Sequence, residues 1–90
     1  MTEAVIAWPN PGTDFTLRVG LPRQEHVRLS VHDAAGREVR LLADDDYPAG
    51  ATWLRWDGRR ADGSPARPGL YLLRLRAGAV ERVRRVVKIE

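Results

Sequence analysis

Residues 56–71 read WDGRRADGSPARPGLY, and this stretch decides how the chain folds. Its two Asp-Gly pairs, at 57–58 and 62–63, place glycine where a tight turn needs positive φ. Pro65 and Pro68 remove backbone donors and stiffen the connection between them. The stretch therefore predicts a loop that joins two strands, and it contains no recognisable catalytic group.

Alternation with a period of two flanks this loop on both sides. One face of the preceding segment carries Thr52, Leu54 and Trp56, and one face of the following segment carries Tyr71, Leu73 and Leu75. This pattern is typical of strands with one buried face. The whole chain predicts seven strands, at residues 4–8, 15–21, 27–32, 37–42, 51–57, 70–76 and 80–89. No window has a helical period beside a capping signal, so we expect an all-β fold, a seven-stranded immunoglobulin-like antiparallel β-sandwich.

The length of 90 residues predicts a single domain over residues 1–90, since two cores would need a longer chain. Met1-Thr2-Glu3 is expected to precede the folded part as a linker or an added start. Residues 44–50, with three aspartates followed by Tyr-Pro-Ala-Gly, are expected to form an exposed connection.

Composition excludes several classes of function. The formal net charge is +3, but the 12 acidic residues are scattered among the 15 basic ones, which argues against a nucleic-acid partner. The absence of cysteine excludes disulfides and thiolate metal sites. No apolar run is long enough for a membrane span, and no leader pattern opens the chain, so we expect any export signal to lie elsewhere.

Several short motifs occur in an order that resembles a known family. They are Pro9-Asn10-Pro11, Gly36-Arg37-Glu38-Val39, Gly50, Trp56-Asp57-Gly58, Gly63, Gly69-Leu70-Tyr71 and Lys88. Together they resemble the FlgD-like Ig-like domain and the related C-terminal sorting domains of the type IX (Por) secretion system. The likeness runs from about residue 7 to the end of the chain. One departure is that Arg84 and Arg85 stand where sorting domains often carry lysines.

The resemblance implies a non-catalytic C-terminal module of a secreted or cell-surface bacterial protein. Its role would be type IX sorting, surface anchoring or assembly, and its partners would be secretion or surface-assembly proteins. Two alternatives stay open: an accessory module that brings an extracellular enzyme to a carbohydrate or a protein, and a structural domain of a hook-cap-like assembly that pairs through its terminal strand. The oligomeric state is not determined by the sequence.

Candidate partner-binding residues are Trp53, Arg74 and Arg76. The alternation turns Trp56 towards the core and Trp53 away from it, so Trp53 either stacks on a sugar or a partner or covers a sheet face. The outward positions also predict a basic face, which either attracts polysaccharide, lipopolysaccharide or an acidic protein or keeps the domain soluble. Its members are Arg18, Arg28, Arg74, Arg76, Arg82, Arg84 and Arg85.

Metal binding and catalysis find little support. The aspartates at 44–46, Asp57 and Asp62 offer oxygen ligands for calcium but lack the spacing of a calcium loop, and solvated turns are the other interpretation. His26 and His32 would lie about 20 Å apart on one strand, too far to share a metal. Neither Ser30 nor Ser64 has an evident activating base. We therefore expect no enzymatic activity, no cofactor and no dedicated metal.

Overall fold

The computed structural model describes residues 4–90, which form two antiparallel sheets. The strands are β1 (Ala4–Trp8), β2 (Phe15–Leu21), β3 (Glu25–Asp33), β4 (Glu38–Tyr47), β5 (Gly50–Trp56), β6 (Gly69–Ala77) and β7 (Val80–Lys88). One sheet has the order β1-β2-β5 and the other has the order β4-β3-β6-β7. The predicted seven-stranded immunoglobulin-like sandwich is confirmed. The expectation for Met1-Thr2-Glu3 falls outside the described residues.

The core is built by the alternating side chains of both sheets. β1 also lies against β7, and β4 against β5, so that contacts between the sheets close both sides of the sandwich. The alternation predicted for β2, β5 and β6 is confirmed, because the inward positions of these strands form the most buried apolar cluster. Its members include Phe15, Leu17, Val19, Trp56, Tyr71, Leu73 and Leu75.

A stack of three aromatic rings joins the two sheets. The rings of Phe15 and Trp56, which are cross-strand partners on β2 and β5, lie 5.5 Å apart and are nearly parallel at 13°. Tyr71 on β6 meets Trp56 edge-on, with ring centroids 5.1 Å apart. Trp56 is fully buried, which confirms its predicted inward orientation. Such aromatic pairs contribute about 0.5–1.5 kcal/mol beyond the area they bury.

The prediction that residues 44–50 form an exposed connection is wrong for most of these residues. β4 continues through Tyr47, and only Pro48 and Ala49 separate it from β5. The cause is pairing with β3, where Asp46 lies opposite His26 and Tyr47 lies opposite Glu25. Composition favoured a loop, but the hydrogen bonds of the antiparallel ladder override it.

The glycines of the predicted motifs all adopt positive φ, at 89° for Gly36, 104° for Gly50, 76° for Gly58, 87° for Gly63 and 146° for Gly69. Gly58 is also a point of close approach. A Cβ atom there would lie 2.5 Å from the carbonyl oxygen of Thr13 and 2.8 Å from Cε of Lys88. Gly63 has open space around the same position. The two Asp-Gly pairs of the loop therefore need glycine for different reasons.

Replacing these two glycines by alanine separates the two reasons. Gly63→Ala should lower the free energy of unfolding by about 1–2 kcal/mol, the cost of positive φ for a residue with a Cβ. Gly58→Ala should cost about 2–5 kcal/mol, because a collision with the Thr13 backbone is added. Urea denaturation of both variants beside the wild type is the measurement. Equal losses would contradict the close packing of Gly58.

Candidate motif sites and binding surfaces

The opening motif is attached to the terminal strand. The side-chain amide of Asn10 donates to the carbonyl of Arg85 at 3.1 Å and accepts from the N–H of Val87 at 2.9 Å. The backbone of Gly12 then continues the pairing, donating to Val87 and accepting from Ile89, each at 3.0 Å. The Asn10 amide thus replaces a peptide group of a neighbouring strand, and the opening motif closes this half of the β7 edge.

Two arginines cap the remaining carbonyls of the same edge. The guanidinium of Arg82 donates to the carbonyl of Glu81 at 3.2 Å, and that of Arg84 donates to the carbonyl of Val83 at 3.4 Å. Alternate carbonyls from residue 81 to residue 87 are therefore occupied by partners within the domain. An edge strand with unpaired backbone groups invites another chain to pair with it. The caps oppose the assembly route through the terminal strand.

The long loop of residues 57–68, between β5 and β6, is held at both ends by the aromatic core. The indole N–H of Trp56 donates to the carbonyl of Arg59 at 3.0 Å. At the other end the hydroxyl of Tyr71 donates to the carbonyl of Arg67 at 2.6 Å. Asp57 adds a turn by accepting from the backbone N–H of Arg59 at 3.0 Å. The Trp-Asp-Gly motif and the Gly-Leu-Tyr motif are therefore two anchors of one loop.

The central motif forms the turn between β3 and β4. Asp33 accepts hydrogen bonds from the backbone N–H groups of Ala35 and Arg37 and from the Arg37 guanidinium, all at 3.0 Å. The backbone bond from Arg37 is the main reason that the pKa of Asp33 lies below its ordinary value. Val39 follows as a core residue. This motif has a structural role in the turn, and it places a charged pair at the end of the sandwich.

The outer face of the three-stranded sheet carries two exposed tryptophans. Trp53 is 60% exposed and Trp8 is 40% exposed, and their rings meet edge-on with centroids 5.6 Å apart. Ile6 and Arg18 lie in one cross-strand row with Trp53, so they share its face. The predicted outward orientation of Trp53 is confirmed. The contact of Trp53 with Trp8 was not predicted from the sequence, because it crosses the width of the sheet.

The expected basic face does not form as one surface. Arg18 lies on the sheet of Trp53, whereas Arg74 and Arg76 lie on the four-stranded sheet, so the candidate partner-binding residues are not brought together. Arg74 and Arg76 share Glu81, at 3.0 and 3.6 Å. In the same sheet Arg28 is bound to Glu38 at 2.8 Å. Carboxylates neutralise most of the positive charge on this outer face.

The prediction that Arg82 and Arg84 point outward is also corrected. Arg82 lies opposite Leu75 and Arg84 lies opposite Leu73, and cross-strand partners point to the same side of a sheet. Leu73 and Leu75 face the core, so the two arginines share the inward register on an edge strand. From there they reach the edge carbonyls described above.

His26 forms an exposed clamp across β3 and β4. Its Nε2 lies 2.7 Å from Asp44 and its Nδ1 lies 2.8 Å from Asp46. Hydrogen bonds to Asp44 and then to Asp46 raise the pKa of His26, since the imidazolium can donate from both ring nitrogens. In residues 4–90, no three histidine, aspartate or glutamate side chains are arranged to hold a metal ion.

The clamp should make stability depend on pH in one direction. A raised folded-state pKa means that the imidazolium stabilises the fold fully below the ordinary histidine pKa of about 6.5, and that this stability is lost as the pH rises through the folded value. His26→Gln should therefore lower the urea midpoint more at about pH 5 than at about pH 9. Asp45→Asn is the matched control on β4, and it should not produce this difference. A His26→Gln deficit that is the same at both pH values would contradict the clamp.

Ser30 and His32 form a pair that the sequence argument missed. Ser30 Oγ lies 2.8 Å from His32 Nε2, and His32 Nδ1 lies 3.2 Å from the carbonyl of Gly36. Ser30 is 1% exposed and His32 is 8% exposed, so a substrate has no access to the hydroxyl. The pair satisfies two buried polar side chains that the alternation placed on the outer face. The register of β3 against β4 shifts between Leu29 and Ser30 and again between Val31 and His32, next to both members of the pair.

Taken together, a three-stranded and a four-stranded antiparallel sheet, with motif residues at the turns and at the terminal strand, define an Ig-like β-sandwich domain. The chain belongs to the FlgD Ig-like domain family, whose profile matches residues 6–79. No curated protein sequence matches the chain. No helix within residues 4–90 is long and apolar enough to cross a membrane.

A solved structure with a similar fold belongs to PorZ, described as an essential bacterial surface component of the type IX secretion system of Porphyromonas gingivalis. The TM-score is 0.63 and the sequence identity is 20%. The match covers 96% of this chain but only 11% of the PorZ chain. At this identity the likeness establishes the fold.

Proposed function

We propose that this domain is a non-catalytic C-terminal module of a secreted or cell-surface bacterial protein, and that it acts in type IX sorting, surface anchoring or assembly. The observation that carries the proposal is the match to PorZ. A domain of this fold occupies a small part, 11%, of a much longer surface component of that secretion system. Membership of the FlgD Ig-like domain family supports the same class of role.

The contacts of the terminal strand also support a module that works as a folded unit. Asn10 and Gly12 bind β7 from the far end of the sequence, so the terminal motif is held in place only when the whole domain is folded. A partner that recognises the terminal strand would therefore bind a folded surface and not an extended tail. The buried Ser30 hydroxyl offers no reactive group to a substrate, which agrees with a non-catalytic role.

A secretion assay tests the sorting role. A reporter with a signal peptide is fused in front of residues 1–90 and expressed in a bacterium with a working type IX system. We expect the reporter at the cell surface or in the medium, and we expect it to stay in the periplasm when the translocon gene is deleted.

Two variants of the fusion separate folding from sorting. Gly63→Ala should be exported like the wild type, because its cost leaves the domain folded, whereas Gly58→Ala should be retained. Retention of the wild-type reporter in the periplasm of the competent host would overturn the sorting role. Surface anchoring and assembly would then be the remaining roles.

A second candidate is an accessory module that binds polysaccharide, and the exposed pair of Trp8 and Trp53 favours it. The two indole rings meet at 88°, so one ring offers its flat face to a ligand and the other offers its edge. Arg18 lies on the same face of the sheet. Aromatic faces offer apolar contact to sugar rings, and cations supply polar contacts at the rim.

Titration with a panel of soluble glycans tests this candidate. Trp53→Ala should weaken binding by about tenfold or more, which corresponds to about 1.4 kcal/mol. The matched control is Leu70→Ala, which removes an apolar side chain of 40% exposure from the other sheet and should leave binding unchanged. Binding that survives Trp53→Ala would exclude the stacking mode.

A further inference from the structure

A cavity of about 440 Å³ opens at one end of the sandwich. It lies between the β3–β4 turn, the loop of residues 57–68 and the beginning of β6, and its lining includes Asp33, Arg37, Arg60, Arg67, Leu70 and Tyr71. The volume falls within the range of roughly 300–1,000 Å³ that is usual for binding sites. Arg37, Leu70 and Tyr71 of this lining belong to the family motifs, whereas Arg60 and Arg67 do not, and the exposed tryptophans lie on the other sheet.

The charges in this cavity are unbalanced. Three guanidinium groups line it against the single carboxylate of Asp33, and that carboxylate is already bound to Arg37 at 3.0 Å. Arg60 and Arg67 have no hydrogen-bonded side-chain partner within residues 4–90. The neighbouring carboxylate of Asp62 is hydrogen-bonded to Ser64, through its N–H and its hydroxyl, and it interacts with the charge of Arg60 without a direct hydrogen bond. Two cations are left available to an incoming acid.

The backbone that carries these two cations is fixed before any ligand arrives. The N–H of Arg60 donates to the carbonyl of Ser64 at 2.8 Å, and its carbonyl accepts from Gly63 at 2.9 Å. The carbonyl of Arg67 is held by the Tyr71 hydroxyl. A preformed site loses less conformational entropy on binding than a flexible loop does.

We propose that this cavity binds an acidic peptide segment of a partner protein. A glutamate or aspartate carboxylate would lie between Arg60 and Arg67, whose planar guanidinium groups suit bidentate bonds to a carboxylate. Leu70, which is 40% exposed, and Pro68 would receive the apolar neighbours of that acid. Arginine next to exposed apolar surface is a combination enriched at protein interfaces.

The lining favours a peptide over a sugar or a nucleic acid. Sugars and the bases of single-stranded nucleic acids are commonly bound by stacking on an exposed aromatic ring. The aromatic residue here is Tyr71, which is 4% exposed and whose hydroxyl is already used. The exposed rings of Trp8 and Trp53 belong to the other sheet. The proposal does not depend on the export role, and binding to the isolated domain tests it separately from secretion.

The test is a titration of the isotope-labelled domain with a short blocked peptide rich in glutamate, followed by NMR at low ionic strength. We expect shifts in residues 33–37, in Arg60 and in residues 67–71, and no binding of the peptide in which glutamine replaces glutamate. The double variant Arg60→Gln with Arg67→Gln should bind at least about tenfold more weakly. Neither guanidinium group makes a hydrogen bond or an ion pair within residues 4–90, so the melting temperature should stay close to that of the wild type.

The matched control is a double variant that removes two arginine charges outside the cavity. Arg18→Gln with Arg76→Gln changes the net charge by the same amount, on the other sheet and at the far end of β6, and should weaken binding by less than about twofold. If both double variants lost the same binding affinity for the peptide, net charge alone would explain the loss, and the proposed site would be overturned. Peptide-induced shifts centred on Trp53 would overturn the site as well. An oligogalacturonate, which is an acidic sugar chain, serves as the competing ligand, and tighter binding of it than of the peptide at the cavity would also overturn the proposal.

Discussion

The contact between Trp56 and Tyr71 is the interaction on which the rest of the domain depends. It joins the end of β5 in one sheet to the beginning of β6 in the other, and Phe15 extends the stack into β2. The same two residues donate their polar hydrogens to the carbonyls of Arg59 and Arg67. The aromatic core therefore also determines the course of the long loop. The two ends of the loop are positioned from the interior, and its middle is held by bonds between Arg60, Gly63 and Ser64.

The local pattern of the sequence was sufficient for the strands and for the fold class, since alternation with a period of two is visible within a few residues. The length of β4 was not predictable in this way, because Asp44, Asp45 and Asp46 resemble a loop until β3 lies beside them. The inward register of Arg82 and Arg84 is a second case. On an edge strand, a long arginine side chain in the inward register can still reach solvent or a backbone carbonyl at the rim of the sheet. The local sequence does not show which strand will lie at an edge.

The candidate sites were less accessible to sequence reasoning than the fold. Trp53 was recognisable as an outward aromatic, but its contact with Trp8 passes over β2, which lies between their strands. Arg37, Arg60 and Arg67 come from separate parts of the sequence and meet only at the end of the sandwich. The Ser30–His32 pair needed knowledge of burial, because spacing by two residues on a strand is also what two solvated side chains would show.

The capped edge of β7 limits strand pairing between copies of the domain that are crowded together. Proteins displayed densely on a surface meet their neighbours at high local concentration, where an uncovered strand can template the conversion of identical copies into stacked fibrils. Here the outward carbonyls of the last strand are already engaged by Asn10, Gly12, Arg82 and Arg84. Identical copies of this domain at high local concentration therefore find few free acceptors on this strand with which to pair.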